Sequence, residues 1–335
     1  MADRAPCTVE RGGERMRLGL AIGRLHDIPR VAREIVDQIR QAEEDCFDTV
    51  WMSHLLLVEG YDGPTIVAAA SSVTRRIELA TFVPFLTRHP ALVAHQAVTI
   101  QALSGNRLAL CLASNHRVFL EQGLGIEFGD PVALLEEYLP ILGTVMRLEP
   151  IRRLSSPYRT RVVPDMPPVI PAPVFLPALR RSMVELAGRL ADGVITTMAG
   201  PRYLEQEVVP VLMAAAEQAG RPTPRVAAHF FVSITNEVDA ARRCADALID
   251  DLYAHPMYLR VLRVDGVDRF GDVAIVGDEA VVAKRLEALS RIGVSDMVAS
   301  IPVVEGDPGA YERTYRFLAD RAASTSSVHG TLASH

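Results

Sequence analysis

The stretch RLALCLASNHRVFLEQGLGIEFGDPVALLEEYL, Arg107–Leu139, contains the pattern that decides the fold. Its apolar run, Leu108–Leu112, has the length and composition of a buried strand. The polar cluster Ser114–His116 follows directly, and after a glycine-containing loop Asp130-Pro131 is typical of the first residues of a helix. Three polar side chains therefore lie where a core strand ends, which is the edge at which α/β folds bind ligands.

The same alternation of strand and helix continues on both sides of that stretch. The predicted strands are Leu18–Ile22, Phe47–Met52, Ile77–Val83, Leu108–Leu112, Val174–Leu176, Gly193–Thr197, Val226–Ile234 and Ser295–Ile301. The predicted helices are Pro29–Glu44, Pro64–Val73, Pro90–Leu103, Pro131–Arg147, Ala178–Leu190, Pro201–Ala219, Asp239–Tyr253, Met257–Val264, Asp278–Ser290 and Pro308–Ala323. This alternation predicts parallel βα units and, with eight strands, a (β/α)8 TIM barrel. A doubly wound sheet is the alternative, but no predicted strand is followed by the glycine-rich dinucleotide fingerprint.

Two insertions interrupt the repeat, after strands four and seven. Glu149–Pro173 contains seven prolines and has no periodicity. Asp251–Asp272 is the second insertion, and both are expected to cover the mouth of a barrel. We expect one domain over residues 16–323, preceded by a flexible extension of residues 1–15 and followed by a disordered tail of residues 324–335.

Composition and charge argue against several classes of partner. The net charge is −6 and no basic stripe stands out, so a nucleic-acid surface is not expected. No apolar run reaches the roughly 18–20 residues that span a bilayer, so no membrane association is expected. The first residues lack the apolar segment of a signal peptide, and we expect a cytoplasmic protein that acts on a small molecule.

The side chains at the ends of the predicted strands are mostly neutral hydrogen-bonding groups. They include no paired carboxylates, no HxH or HExxH, no GxSxG and no lysine, which disfavours glycoside hydrolysis, a metal site, and triad or Schiff-base chemistry. An organic cofactor that carries the chemistry itself fits these ends better. The helix start at Arg180-Arg181-Ser182 could bind a phosphate through backbone N–H groups and two guanidinium groups.

Each candidate side chain also has a structural interpretation. His116 is compatible with capping the following helix, and His54 with an ordinary position in a loop. Thr81 is compatible with a β-branched residue of the core. Arg180-Arg181-Ser182 is compatible with a solvated helix start. Residue type alone leaves these alternatives open.

Four longer stretches carry a resemblance to a known family. They are Arg76–Leu110 (RIELATFVPFLTRHPALVAHQAVTIQALSGNRLAL), Ser114–Leu139, Glu185–Pro210 (ELAGRLADGVITTMAGPRYLEQEVVP) and Val276–Ser300 (VGDEAVVAKRLEALSRIGVSDMVAS). In this order they resemble the luciferase-like monooxygenase superfamily of flavin- and deazaflavin-dependent oxidoreductases. The branch that uses the deazaflavin coenzyme F420 is the most similar, and the family fold is the TIM barrel that the pattern predicts.

The resemblance implies a ring-shaped cofactor in the barrel mouth, coenzyme F420 or alternatively FMN. Thr81 is expected to lie along the ring, beside a non-prolyl cis peptide bond. His116 and His54 are expected to supply or steady a proton. The residues at the family's cofactor positions are Thr81, Ser114, Asn115, His116, Arg180, Arg181, Ser182, Met183 and Thr196. A flat or hydrophobic substrate is expected to pack on Phe85, Tyr253, His255 and Tyr258.

The chain departs from the family pattern at two glycines, which are replaced here by Cys111 and Ala113. The expected activity is hydride transfer from reduced F420 to a C=C, C=N or C=O bond of a small organic substrate, such as a secondary metabolite. One alternative is an FMN-dependent two-component monooxygenase supplied by a separate reductase. Another is a barrel that has lost its redox cofactor and binds ligands without redox chemistry. A homodimer packed through the helices near strands two and three is also implied.

Overall fold

Eight parallel strands close into a barrel in the computed structural model, which describes residues 15–22, 31–52, 61–115, 117–155, 157–249 and 256–327. The barrel strands are β1 (Arg17–Ile22), β2 (Thr49–Met52), β3 (Glu78–Pro84), β4 (Leu108–Ala113), β7 (Val174–Pro177), β8 (Gly193–Thr197), β9 (Arg225–Ile234) and β11 (Asp296–Ser300). Pairing of β8 with β9 and of β11 with β1 completes the ring. The predicted TIM barrel is confirmed.

Helices surround the barrel in the order that the sequence predicts. They are α1 (Ala32–Glu44), α2 (Gly63–Ser71), α3 (Pro90–Ser104), α4 (Pro131–Met146), α5 (Arg181–Leu190), α6 (Pro201–Tyr203), α7 (Val209–Gln218), α8 (Val238–Leu248), α9 (Pro256–Asp265), α10 (Phe270–Val273), α11 (Glu279–Arg291) and α12 (Ala310–Ser327). The predicted start of α4 is confirmed, because the Asp130 side chain accepts a hydrogen bond from Val132 N at 3.0 Å. A π-helical turn, Leu204–Val208, separates α6 from α7, where the sequence predicted one helix.

The first predicted insertion contains regular structure that the sequence did not indicate, and the helix predicted in the second is present as α9. The proline-rich segment forms an antiparallel hairpin of β5 (Ile151–Arg153) and β6 (Thr160–Val162), which escaped prediction because each strand is short, polar and lacks alternation. The second insertion contains α9 and the start of α10, and it is followed by β10 (Ile275–Gly277), which pairs with the end of β9. Helix α12 runs to Ser327, past the expected domain end at residue 323. Within the described ranges, no helix is long and apolar enough to cross a membrane.

The inside of the barrel is a packed core. Successive strand residues point alternately to the barrel axis and to the helices. The rings of Trp51 and Phe175 meet at 5.2 Å in a T-shaped arrangement at the centre. The buried residues of this inner layer are Trp51, Ala80, Ala109, Cys111, Phe175, Ile195, Ala227 and Val298. They form the floor of the mouth at the carboxyl ends of the strands.

An ion network occupies the opposite, amino-terminal end of the barrel. The Arg225 guanidinium bonds both oxygens of Asp296 and both oxygens of Glu78, at distances from 2.5 to 3.1 Å. Arg17 Nη1 lies 3.3 Å from Glu78 Oε1 and 3.3 Å from Asp296 Oδ1. Burial raises the pKa of Asp296, but the attraction of Arg225 and Arg17 outweighs burial and holds that pKa below its ordinary value. This network joins four strands, far from the mouth.

Candidate active site

The barrel mouth is lined by side chains that point inward just above the floor. This set has seven described residues, and most of them are small or aromatic. Five of the seven are half-buried, and the other two, His229 and Ser300, are buried. The inward-pointing residues at this level are Ala21, Phe82, Ala113, Pro177, Thr197, His229 and Ser300.

Thr81 does not face the mouth, which corrects the expectation that it lies along a cofactor ring. Its neighbours Ala80 and Phe82 belong to the inner layer, so alternation turns Thr81 toward the helices. Thr81 is fully buried, and a Cβ added at Gly63 of α2 would lie 2.4 Å from its Oγ1. All peptide bonds of the described residues are trans, so the expected cis bond is absent from Ala80–Phe82. Phe82 is the residue of β3 that reaches the mouth.

Thr196 is placed in the same way as Thr81. It is buried on the outer face of β8, and its Oγ1 has no hydrogen-bond partner among the described residues. Its neighbour Thr197 points inward and is half-buried. The side chain of Thr196 is therefore not at the mouth, whereas that of Thr197 is.

Ser114 and Asn115 lie at the mouth, directly after β4, and both are half-buried. Asn115 has φ 65°, a left-handed conformation that asparagine tolerates better than most residues. This turn carries the chain away from the strand. The two expected catalytic histidines, His54 and His116, lie outside the described residues.

The two described members of the expected substrate set, Phe85 and Tyr258, pack against different partners. Phe85 is fully buried, with its ring 5.5 Å from that of Tyr138 on α4, because the chain turns into the core after Pro84. This corrects its assignment to the substrate pocket. Tyr258 packs on Phe270 at 5.6 Å, and burial raises its pKa to about 12. Tyr253 and His255 lie outside the described residues.

A basic cavity of about 300 Å³ opens at the start of α5, a few residues after the end of β7. Arg180 is the N-cap of α5, and no side chain caps this helix within the described structure. Arg180, Arg181 and Ser182 are exposed, and Met183 is half-buried. The lining residues are Arg180, Arg181, Tyr203, Glu207, Pro256, Met257 and Arg260.

The charge of this cavity is positive. Arg260 pairs with Glu207 at 2.9 Å. Arg181 pairs with Glu185, outside the lining, at 2.8 Å. Arg180 forms no ion pair with another described residue. Three arginines and one glutamate line the cavity, so the lining suits an anion.

Two contacts that the sequence did not predict fix the walls of this cavity. The Tyr203 hydroxyl donates to Leu179 O at 2.8 Å, which holds the turn before Arg180. The Asp265 carboxylate, at the end of α9, accepts from Gly200 N at 2.9 Å and from Arg202 N at 3.0 Å. A Cβ at Gly200 would lie 2.3 Å from Asp265 Cγ, so this close approach requires glycine. Burial raises the pKa of Asp265.

His229 is a residue of the mouth that sequence reasoning missed. Its Nε2 lies 2.7 Å from Ser300 Oγ on the neighbouring strand. It was overlooked because it falls in the middle of the long predicted strand Val226–Ile234. In the structure β8 ends at Thr197, which is paired with His229, so the barrel rim crosses β9 near this residue.

Cys111 and Ala113 stand at the two positions where the family pattern has glycine. Cys111 is fully buried within the floor, where burial raises the pKa of its thiol and keeps it neutral. Ala113 lies at the mouth, and its side chain is one methyl group larger than glycine. No group of histidine, cysteine, aspartate or glutamate side chains is arranged to hold a metal ion in the part of the chain that the structure describes.

Comparison with known proteins agrees with this architecture. A family model for luciferase-like monooxygenases matches residues 16–296. The F420-dependent glucose-6-phosphate dehydrogenase of Nakamurella multipartita is 27% identical over 277 residues, which cover 78% of this chain and 79% of the relative.

Two solved structures superpose over most of the chain. One is the coenzyme F420-dependent tetrahydromethanopterin reductase of Methanopyrus kandleri, with a TM-score of 0.72, 19% identity, and coverage of 91% of this chain and 98% of that one. The other is the oxygenating constituent of 3,6-diketocamphane monooxygenase from Pseudomonas putida in complex with FMN, with a TM-score of 0.73, 18% identity, and coverage of 92% and 98%. At sequence identities of 19% and 18%, these two structures support the assignment of the fold alone. The family model spans most of the sequence, and the chain belongs to the luciferase-like monooxygenase family.

Proposed function

We propose that this protein is an oxidoreductase that uses reduced coenzyme F420 to reduce a C=C, C=N or C=O bond of a small organic substrate. The observation that carries the proposal is the basic cavity at the start of α5, which follows the end of β7 by only a few residues. A deazaflavin with its ring at the mouth has an anionic tail that must be neutralised nearby. The arginines of this cavity are suited to that task.

The described residues fit such a cofactor. Arg180, Arg181 and the backbone N–H groups at the start of α5 would hold the phosphate. Phe82 and Ala113 would lie under the ring, and Ser114 would contact its edge. When bound, the reduced deazaflavin supplies a hydride. The inward-pointing described residues at the mouth include no carboxylate, lysine or arginine, which suits an uncharged organic substrate.

Sequence similarity favours F420 over FMN. The relative from Nakamurella multipartita and a second one from Beutenbergia cavernae, 25% identical over 305 residues, are both F420-dependent glucose-6-phosphate dehydrogenases. An FMN phosphate would fit the same arginines, so the cavity alone does not choose between the two cofactors. These similarities support an F420- or FMN-dependent oxidoreductase, as predicted from the sequence, with F420 preferred.

Cofactor binding by the purified protein tests the proposal. Titration with F420, FMN and the deazaflavin riboside that lacks phosphate should show the tightest binding for F420, measured by fluorescence quenching and calorimetry. Under anaerobic conditions, reduced F420 should then be reoxidised by at least one acceptor in a panel of enones, imines and ketones.

Two outcomes would contradict the proposal. Binding of FMN with oxygen consumption in the presence of reduced FMN would replace it with a two-component monooxygenase that depends on a separate reductase. Binding of neither cofactor would indicate a barrel without redox function.

We also propose that the protein forms a homodimer through α3. Leu92 and Leu103 are 68% and 60% exposed. They are eleven residues apart, about three helical turns, and so share one face with the exposed Thr99.

Replacing both leucines with glutamate should convert a dimer to a monomer, as measured by light scattering after size exclusion. The exposed Val163 (75%) provides the matched control, V163E, which should stay dimeric. A monomeric native protein, or a dimeric double variant, would refute this interface.

A further inference from the structure

Two groups of residues line the basic cavity at the start of α5. Arg180 and Arg181 belong to the start of that helix, where a cofactor phosphate would lie. The second group comes from the π-helical turn Leu204–Val208 and from α9, and it contains Glu207 and Arg260. The lining therefore offers a third guanidinium group, on an element separate from the phosphate position.

This third guanidinium group is paired within the cavity itself. Arg260 Nη2 donates to Glu207 Oε2 at 2.9 Å, and the two side chains are 54% and 28% exposed. Glu207 is the single carboxylate among the described lining residues. Ion pairs with this much exposure contribute little to stability, so a carboxylate of a bound molecule can replace Glu207 at small cost.

The backbone that carries Arg260 is held in place, although its side chain is exposed. The next two residues of α9, Val261 and Leu262, are buried. At the end of the helix, the Asp265 carboxylate accepts a hydrogen bond from Gly200 N at the start of α6. Helix α9 is thus anchored to the barrel, and the Arg260 guanidinium stays at the cavity when its partner changes.

The segment that carries Glu207 has an unusual geometry. The turn Leu204–Val208 is π-helical, and π-helical turns next to α-helices occur frequently at functional sites. Tyr203, four residues before Glu207, also lines the cavity. The turn therefore brings a carboxylate into a lining that otherwise suits anions.

We propose that Arg260 binds a carboxylate of the cofactor tail beyond its phosphate, and that Glu207 occupies this position until the tail displaces it. The proposal rests on the proposed function. The tail of F420 continues past the phosphate into a chain of glutamates, whereas FMN ends at its phosphate. With the phosphate at Arg180 and Arg181, the next anionic groups of F420 meet the remaining arginine of the same cavity. Arg260 and Glu207 thus favour F420 over FMN.

Binding titrations with three cofactors test the proposal without turnover. They are F420 with several glutamates, the deazaflavin riboside 5′-phosphate, and FMN, and the last two end at their phosphate. R260A should weaken binding of F420 about 5-fold, and should change binding of the other two by less than about 2-fold. The measurement is the dissociation constant by fluorescence quenching at low ionic strength. The matched control is R263A, which removes an exposed arginine of α9 outside the lining and should change none of the three.

E207Q provides a test with the opposite sign. It keeps the shape of Glu207 but removes the competing carboxylate, so F420 should bind about 3-fold more tightly. The two cofactors that end at their phosphate should gain less. In the R260A background E207Q should no longer favour F420, because the gain depends on Arg260.

Three results would overturn the proposal. R260A could leave F420 binding unchanged, or it could weaken all three cofactors equally, which would make Arg260 part of the phosphate position. In both cases hydride transfer from reduced F420 would still support the proposed function. The third result concerns inorganic phosphate, which should compete with the deazaflavin riboside 5′-phosphate equally in the native protein and in R260A. Weaker competition in R260A would assign Arg260 to a small free anion. If none of the three cofactors binds, the proposed function fails together with this proposal.

Discussion

Replacing both Arg180 and Arg181 with alanine is expected to weaken F420 binding about 30-fold, at roughly 1 kcal/mol for each exposed arginine. The reason is the cavity at the start of α5, where these guanidinium groups are the charges that a phosphate would meet first. Arg181 already has a partner in Glu185, so R180A alone should account for more than half of the loss. The measurement is the dissociation constant by fluorescence quenching at low ionic strength.

Three comparisons make this result specific. The loss should shrink in 0.5 M salt, because exposed charges are screened. The phosphate-free deazaflavin riboside should bind the native protein and the double variant equally. R316A changes an exposed arginine of α12 that pairs with Glu312, and it should leave binding unchanged. If the double variant binds F420 normally, the tail of the cofactor lies elsewhere and the assignment of this cavity fails.

The largest loss of stability is expected from breaking the ion network at the amino-terminal end of the barrel. D296N keeps the shape of Asp296 but removes one of the two carboxylates around Arg225. Removing one partner from a buried ion pair typically costs about 3–5 kcal/mol, and the partial exposure of Arg225 places this case near the lower value. The free energy of unfolding in urea at pH 7 should therefore fall by about 3 kcal/mol.

The pH dependence provides an independent check. Because the pKa of Asp296 is lowered in the folded protein, its contribution to stability is complete above the pKa of the unfolded chain. That contribution is lost as the pH falls through the lower, folded value. The native protein should lose stability over this acidic range, and D296N should lose less.

The control for this prediction is E312Q, which breaks an exposed pair on α12. It should change the free energy of unfolding by no more than about 0.5 kcal/mol. A D296N protein as stable as the native one, with the same pH dependence, would show that the network contributes little to the fold.

Local pattern was enough to predict the barrel and several helix starts. The strand Leu108–Leu112 and the cap at Asp130 are encoded within a few residues, and both are present as predicted. The family resemblance is also confirmed. The arginines of Arg180-Arg181-Ser182 were placed correctly at a helix start, since that position depends only on where β7 ends and α5 begins.

The direction of each side chain was harder to predict. Barrel strands are buried on both faces, so they read as continuous apolar runs without a visible inner and outer side. A buried threonine is compatible with either face. For this reason the pattern alone does not distinguish Thr81 from Phe82, or Thr196 from Thr197, as the residue that points into the mouth.

The sequence by itself determined the order of strands and helices, the family, and the helix start that carries the arginines, because these depend on periodicity and on neighbouring residues. Only the tertiary structure decided which residue of each strand faces the mouth and where the rim crosses β9. It also decided the partners of His229 and Arg225. Ser300 and Asp296 each lie 71 residues away along the chain and are brought close only when the barrel closes.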